Sequence, residues 1–205
     1  MHLTRRITIV SLMLSILGLG QPTLADPLVR VKANSTSSEQ AECSGGISKH
    51  VSLGGEVVQP TNFNLSKLQS LPPEEVTVSF GSAQGQETHT YVGVPLWKLI
   101  QSVGGLKPNP DPTVKNGSLR QYIVIEATDC YQIVLSEGEI DPNFEGKQVL
   151  VAYATKDDPS GDPQLLADQG IARIVVPGDL KGGRNIYNIR RIKVFSAPDL
   201  RFKSY

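Results

Sequence analysis

Gly93-Val94-Pro95-Leu96-Trp97-Lys98-Leu99-Ile100-Gln101-Ser102-Val103-Gly104 contains the start, body and end of one short helix. Proline suits the first helical position, where its missing N–H would have no partner anyway, so Pro95 is expected there. Leu96, Leu99, Ile100 and Val103 recur at i, i+3, i+4 and i+7 and form one apolar face. Gly104 and Gly105 can take positive φ and close the helix. The pattern predicts about two turns anchored in a core. Trp97, the single tryptophan of the chain, lies roughly 100° around the helix from Leu96, at the edge of that face. It is either core filler or one wall of a pocket.

Short strands surround this helix. Val51 to Val58 reads as a strand interrupted by Gly54-Gly55, and Asn64 can cap a short helix carrying Leu65 and Leu68. Val76 to Phe80 alternates apolar and polar residues, as a strand with one buried face does. Gly81 to Gln86 reads as a loop, and Glu87 to Tyr91 as a strand leading into the helix. Further along, Tyr122–Ala127 and Tyr131–Leu135 are two strands joined at Thr128-Asp129-Cys130. Val149 to Ala154 is nearly all apolar, as a central buried strand would be. Asp157 to Asp168 is a loop, Ile171 to Val176 a strand stopped by Pro177-Gly178, and Ile189 to Phe195 a closing strand. The sum is an α+β domain, mostly short strands in mixed sheets with a few short helices.

The N-terminus reads differently. Arg5-Arg6, the apolar run Ile7–Gly18 and Thr23-Leu24-Ala25 make a secretory signal peptide over 1–25. That implies a periplasmic or secreted protein. Its removal takes two arginines and no acid, which leaves 18 Lys and Arg against 20 Asp and Glu. Such a balance offers nothing to nucleic acid or an anionic membrane. Residues 26–45 are expected to be a flexible lead-in, 46–198 a single domain and 199–205 a tail. Cys43 and Cys130 are the two cysteines. In an oxidising compartment they can form a disulfide, remain free thiols, or supply one metal-ligating thiolate. No serine–histidine–acid order or paired carboxylates argue for a hydrolase. His50 and His89 lack the spacing of a zinc site.

The order of these motifs resembles the molybdopterin-binding domain of the sulfite oxidase family, in its short, secreted, single-domain form. The matching pieces begin with Gly55-Glu56-Val57 to Leu71-Pro72-Pro73, the Val76–Phe80 strand and Tyr91-x-Gly93-x-Pro95-Leu96. Ala127-x-Asp129-x-Tyr131, Val149–Tyr153, Gly170-x-x-Arg173-x-Val175-Val176-Pro177-Gly178 and Ile192-x-Val194 complete them. The resemblance implies a fold with a pterin-sized crevice. It also marks departures. Catalytic members place a molybdenum-ligating cysteine after the strand that Val76–Phe80 resembles, and here the aligned position is Ser82, a far poorer ligand for a soft metal. The lysine and tryptophan that help catalytic members hold the cofactor phosphate align with Tyr187 and Asn188.

These departures imply an exported, non-catalytic protein with no molybdenum, and the resemblance to the family's short members implies one that senses or carries a pterin, with a membrane-bound signalling partner. The alternative is a molybdenum cofactor-dependent oxidoreductase with an atypical ligand. No catalytic residue is assigned. A pterin is flat, with donors and acceptors along its edge, so its site needs a stacking surface and a carboxylate. Trp97 offers the stacking surface, with Tyr91 and Tyr131 as further aromatic candidates. Asp129 can accept paired hydrogen bonds from the aminopyrimidine edge, or be a plain turn residue. Arg173 can hold an anionic tail or pair with a nearby acid, and Lys181-Gly182-Gly183-Arg184 is a basic loop able to meet a phosphate.

Overall fold

The structure, a computed structural model, describes residues 43–108, 114–156, 158 and 161–198. The expected signal peptide and tail lie outside these residues, as does the lead-in apart from Cys43-Ser44-Gly45. Among the described residues, no helix is long and apolar enough to cross a membrane.

Among the described residues, ten strands form two sheets. The first joins β1 (Val51–Gly55), β2 (Thr61–Phe63), β5 (Gln121–Ala127), β6 (Gln132–Ser136) and β10 (Ile189–Ser196) in the order β2-β1-β10-β5-β6. Its β1–β10 pair is parallel and the others antiparallel, so the sheet is mixed. The closing strand β10 therefore lies in the middle of this sheet. The second sheet joins β3 (Glu74–Ser82), β4 (Gly85–Pro95), β7 (Leu150–Lys156) and β8 (Gln164–Leu165), with β9 (Arg173–Val175) also paired to β7. Three short α-helices accompany them among the described residues: α1 (Leu65–Gln69), α2 (Leu96–Gln101) and α3 (Glu137–Ile140). The α+β reading with mixed sheets and few helices describes this architecture.

Alternation along the strands builds the main core. Val51 and Leu53 of β1, Ile192 and Val194 of β10, and Ile123 and Ile125 of β5 face inward. They meet Val92 and Val94 of β4 and Val151 and Tyr153 of β7. Leu96, Leu99 and Ile100 of α2 enter the same core fully buried, as their spacing requires. Asn64 caps α1 by accepting a hydrogen bond from Lys67 N at 2.9 Å.

Several local expectations change. Residues 81–86 are not a loop: β3 runs to Ser82 and β4 begins at Gly85, a tight hairpin with the register Ser82↔Gly85. Pro95 pairs with Leu150 as the last residue of β4 and caps α2 from outside the helix. Proline is tolerated there because the strand ends at it. Gly104 and Gly105 have φ of 87° and 84°, so only glycine reverses the chain after α2 without strain. The strand expected over 171–176 is shorter, and the loop over 157–168 contains β8. Helix α3 escaped the sequence reading, although Ser136 and Glu139 form a capping box around its start. Cys43–Gly45 are also held: Gly45 N donates to Thr128 O at 3.2 Å, and Cys43 and Cys130 form a disulfide across 87 residues. Closing a loop of that length is worth about 4–5 kcal/mol in the chain-entropy model.

Glu137 in α3 is 1% exposed. Burial, reinforced by the neighbouring Asp141, pushes its carboxyl up to about 7. Folding thus favours the protonated acid. Its contribution is whole below the unfolded value near 4.5 and is lost as pH rises through about 7. Stability to urea, as far as Glu137 sets it, is expected to fall between about pH 5 and pH 8, and Glu137→Gln to flatten that fall. An unchanged slope in the variant would contradict this assignment.

Candidate functional site

The second sheet is used on both faces. One face lines the main core. On the other, Val76, Val78 and Phe80 of β3 and Tyr91 of β4 pack with Leu150, Ala152, Leu166 and Val175 in a smaller core. Residues two apart on a strand share a face, so Glu87, His89 and Tyr91 point to this side, opposite Phe80, Val78 and Val76 in register. The His89 ring lies between those of Phe80 and Tyr91, with centroids 6.2 and 5.7 Å away.

A cleft of about 500 Å³ opens over this face, lined among others by Phe80, Ser82, Glu87, Arg173, Lys181 and Asn185. It adjoins a second hollow of about 260 Å³ whose wall includes Ala127, Asp129 and Tyr131. Gly182, Gly183, Asn185 and Tyr187 line both. A Cβ on Gly182 would stand 3.0 Å from the Phe80 ring, so glycine lets the 181–184 loop lie against the cleft floor.

Arg173 is the centre of this arrangement. In register with Ala152 of β7, it is 6% exposed, and its guanidinium sits 4.6 Å from the centroid of the Tyr91 ring. One terminal nitrogen, Nη1, donates to Gln169 Oε1 at 2.7 Å and the other, Nη2, to Asn185 O at 3.1 Å. Its hydrogen-bond partners are an amide oxygen and a backbone carbonyl, not the acid that the sequence leaves open. Its Nε and the Asn185 Nδ2 are buried donors without a partner in the protein. Burial lowers the pKa of Arg173 from the ordinary arginine value, opposed by the nearby Tyr91, Glu87 and Tyr187. A desolvated cation is costly unless something compensates it. The Tyr91 ring face supplies part of that compensation, and an anion in the cleft would supply more.

The six residues singled out by sequence divide clearly. Ser82 and Arg173 line the larger cleft, and Asp129 and Tyr131 the adjoining one. Tyr91 supports Arg173 from the small core. Trp97 belongs elsewhere: it is half-buried against the main core and is not among the lining residues of either hollow. Its position on α2, which serves the opposite face of the second sheet, is the reason. Asp129 Oδ1 accepts a hydrogen bond from Tyr131 N at 3.0 Å, the turn role open to it from sequence. Tyr131 reaches across the smaller hollow, its hydroxyl donating to Gly183 O at 3.1 Å.

The sequence reading passed over Glu87, Gln169 and Asn185. Period-two spacing places Glu87 on the face of His89 and Tyr91 and was the available signal; Gln169 and Asn185 carry none. Hydrogen bonds from Ser82 and then His89 hold the Glu87 carboxyl below the usual carboxylate range. His89 Nε2 lies 3.0 Å from Glu87 Oε2, and no group of three metal-ligating side chains converges among the described residues. Arg184 of the basic loop is committed to both oxygens of Asp179, at 2.8 and 2.6 Å, and to Glu139. Lys181 is the loop's cation at the cleft.

The donor set does not fit a thiolate-held molybdenum. Ser82 Oγ is held in its own hairpin, accepting from Gln84 N at 3.0 Å, and both cysteines are joined to each other. The larger cleft has a buried cation on its floor and half-exposed Tyr187 at its rim, and the adjoining hollow carries Asp129 and half-exposed Tyr131.

No model of a known protein family and no curated protein matches the sequence. Among solved structures, the chain is similar to the crystal structure of the sulfane dehydrogenase SoxCD from Paracoccus pantotrophus. The TM-score is 0.56 and the identity 21%, over 72% of this chain. The chain spans 38% of the length of that protein. At this identity the likeness is one of fold. It supports the distant sulfite oxidase-like fold that the motif order implies.

Trp97→Ala is expected to lower stability by about 1–3 kcal/mol in urea unfolding, through lost packing. Loss of stability by a comparable amount without any change at the cleft would agree with this placement, whereas an altered cleft ligand affinity would contradict it.

Proposed function

We propose that this protein binds a pterin in the cleft without catalysing a reaction on it, as an exported protein that senses or carries the ligand and reports to a membrane-bound signalling partner. The observation that carries the reading is Arg173, a buried guanidinium stacked on Tyr91 in a cleft wall with a partnerless Nε. Buried polar groups are almost always paired in the state that functions. An anionic tail on the ligand balances the charge of Arg173 and Lys181, whereas a polyol tail accepts hydrogen bonds from them. The ligand's aminopyrimidine edge meets Asp129, one of whose oxygens remains after Oδ1 has accepted from Tyr131. Tyr131 and Tyr187 supply the aromatic rim that Trp97 was expected to supply. Cleft volumes of a few hundred Å³ suit a ligand of this size.

The likeness of fold to a sulfane dehydrogenase supports descent from a cofactor-binding ancestor. The serine at the position of the ligating cysteine supports loss of molybdenum chemistry, and the reading assigns no metal.

Titration with pterin-6-carboxylate, followed by its own fluorescence, is expected to saturate at one site per chain. Arg173→Gln and Asp129→Asn are each expected to weaken binding about tenfold or more, as loss of a charge-assisted hydrogen bond does. Absence of saturable binding, or both variants binding as the unsubstituted protein does, would overturn the reading.

A further inference from the structure

The disulfide stands beside this cleft and is joined to it through a single turn. Cys130 has φ of 65°, a left-handed conformation rare for a residue with a side chain. It lies between Asp129 and Tyr131, which line the smaller hollow. The turn is closed by Cys130 N donating to Ala127 O at 3.1 Å and Ala127 N to Tyr131 O at 2.9 Å. From outside, residues 43–48 strap it down. Gly45 N donates to Thr128 O, Thr128 Oγ1 donates to Gly46 O at 2.7 Å, and Cys43 closes the strap through the disulfide. Cys43 is exposed and Cys130 is half-buried. An Arg190 terminal nitrogen stands 3.2 Å from Cys130 Sγ.

We propose that Cys43–Cys130 is a thiol–disulfide exchange site whose state sets the affinity of the cleft, the oxidised form being the binding form. This rests on the pterin reading of the cleft. The reductant is an external dithiol of the thioredoxin class. One of its thiolates attacks the exposed Cys43 Sγ, the Cys43–Cys130 bond breaks, and Cys130 leaves as a thiolate with the bonding pair, its charge met by Arg190. The second thiol of the reductant loses its proton and displaces Cys43 from the mixed disulfide. Two electrons pass to this chain, both of its sulfurs end as thiols after taking protons, and the reductant ends as a disulfide. Without the strap, Cys130 relaxes from the left-handed region, where a side chain is strained, and Asp129 and Tyr131 turn away from the hollow. The ligand must then reorder the turn on binding, which weakens it.

The test titrates pterin-6-carboxylate into oxidised protein and into protein reduced with dithiothreitol, with far-ultraviolet circular dichroism reporting the fold. Reduction is expected to weaken binding about tenfold or more, reversibly. The variant Cys43→Ser/Cys130→Gly has a residue at 130 that takes positive φ freely. It is expected to bind within about threefold of the oxidised protein and to ignore dithiothreitol, whereas Cys43→Ser/Cys130→Ala binds as weakly as the reduced chain. Reduced, folded protein that binds as tightly as the oxidised form overturns the proposal. So does equal affinity of the two double variants, should reduction unfold the chain. Failure of the oxidised protein to bind at all overturns the pterin reading instead.

Discussion

Strand β7 is buried on both faces, and the rest of the molecule depends on that. Val151 and Tyr153 look into the main core, where the first sheet and α2 meet them, while Leu150 and Ala152 look into the small core under the cleft. A strand stretch with no solvent face carries no polar alternation, which is why Val149 to Ala154 is nearly all apolar. It also gives the second sheet two tasks. One face contributes the apolar burial that stabilises the domain. The other is a rigid floor on which Arg173, opposite Ala152, is held by β9. A site built on paired strands holds its geometry better than one built on loops.

The cleft side of that floor is electrostatically incomplete. A guanidinium loses much of its hydration when buried, and hydrogen bonds to Gln169 and Asn185 with the ring of Tyr91 beneath restore part of it. No acid completes the set as a direct hydrogen-bond partner. Glu87 lies in the same cleft, its carboxyl held below the usual carboxylate range by Ser82 and then His89, and Asp129 sits in the adjoining hollow. Positive and negative groups thus stand at different points along the cleft and the hollow beside it. Among the described residues no three metal-ligating side chains converge there; Ser82 is bonded within its hairpin and the cysteines are bonded to each other.

Much of this was legible in the sequence. Alternation found the strands, the apolar run found β7, and Asn64 and the paired glycines marked the ends of α1 and α2. The motif order implies the distant sulfite oxidase-like fold that the structural likeness supports, and the same motifs contain Asp129, Tyr131 and Arg173. What was not legible depended on which face a residue serves. Trp97 sits at the edge of an apolar stripe, and periodicity gives its angle on α2 but not which side of the second sheet α2 covers. The hairpin at Ser82–Gly85 passed for a loop because Gly81 to Gln86 is rich in turn-forming and polar residues. Gln169 and Asn185 reach Arg173 only through the path of the chain around β9, and no local pattern announces such a meeting. The cysteines were a choice between three states, and the fold that brings residue 43 against residue 130 decides among them.

We propose that the cleft holds a pterin and no molybdenum. Purification from the native source, followed by native mass spectrometry and metal analysis of the same sample, tests it most directly. A pterin bound at one per chain with molybdenum far below stoichiometry is the expected result. Molybdenum at one per chain would contradict the account.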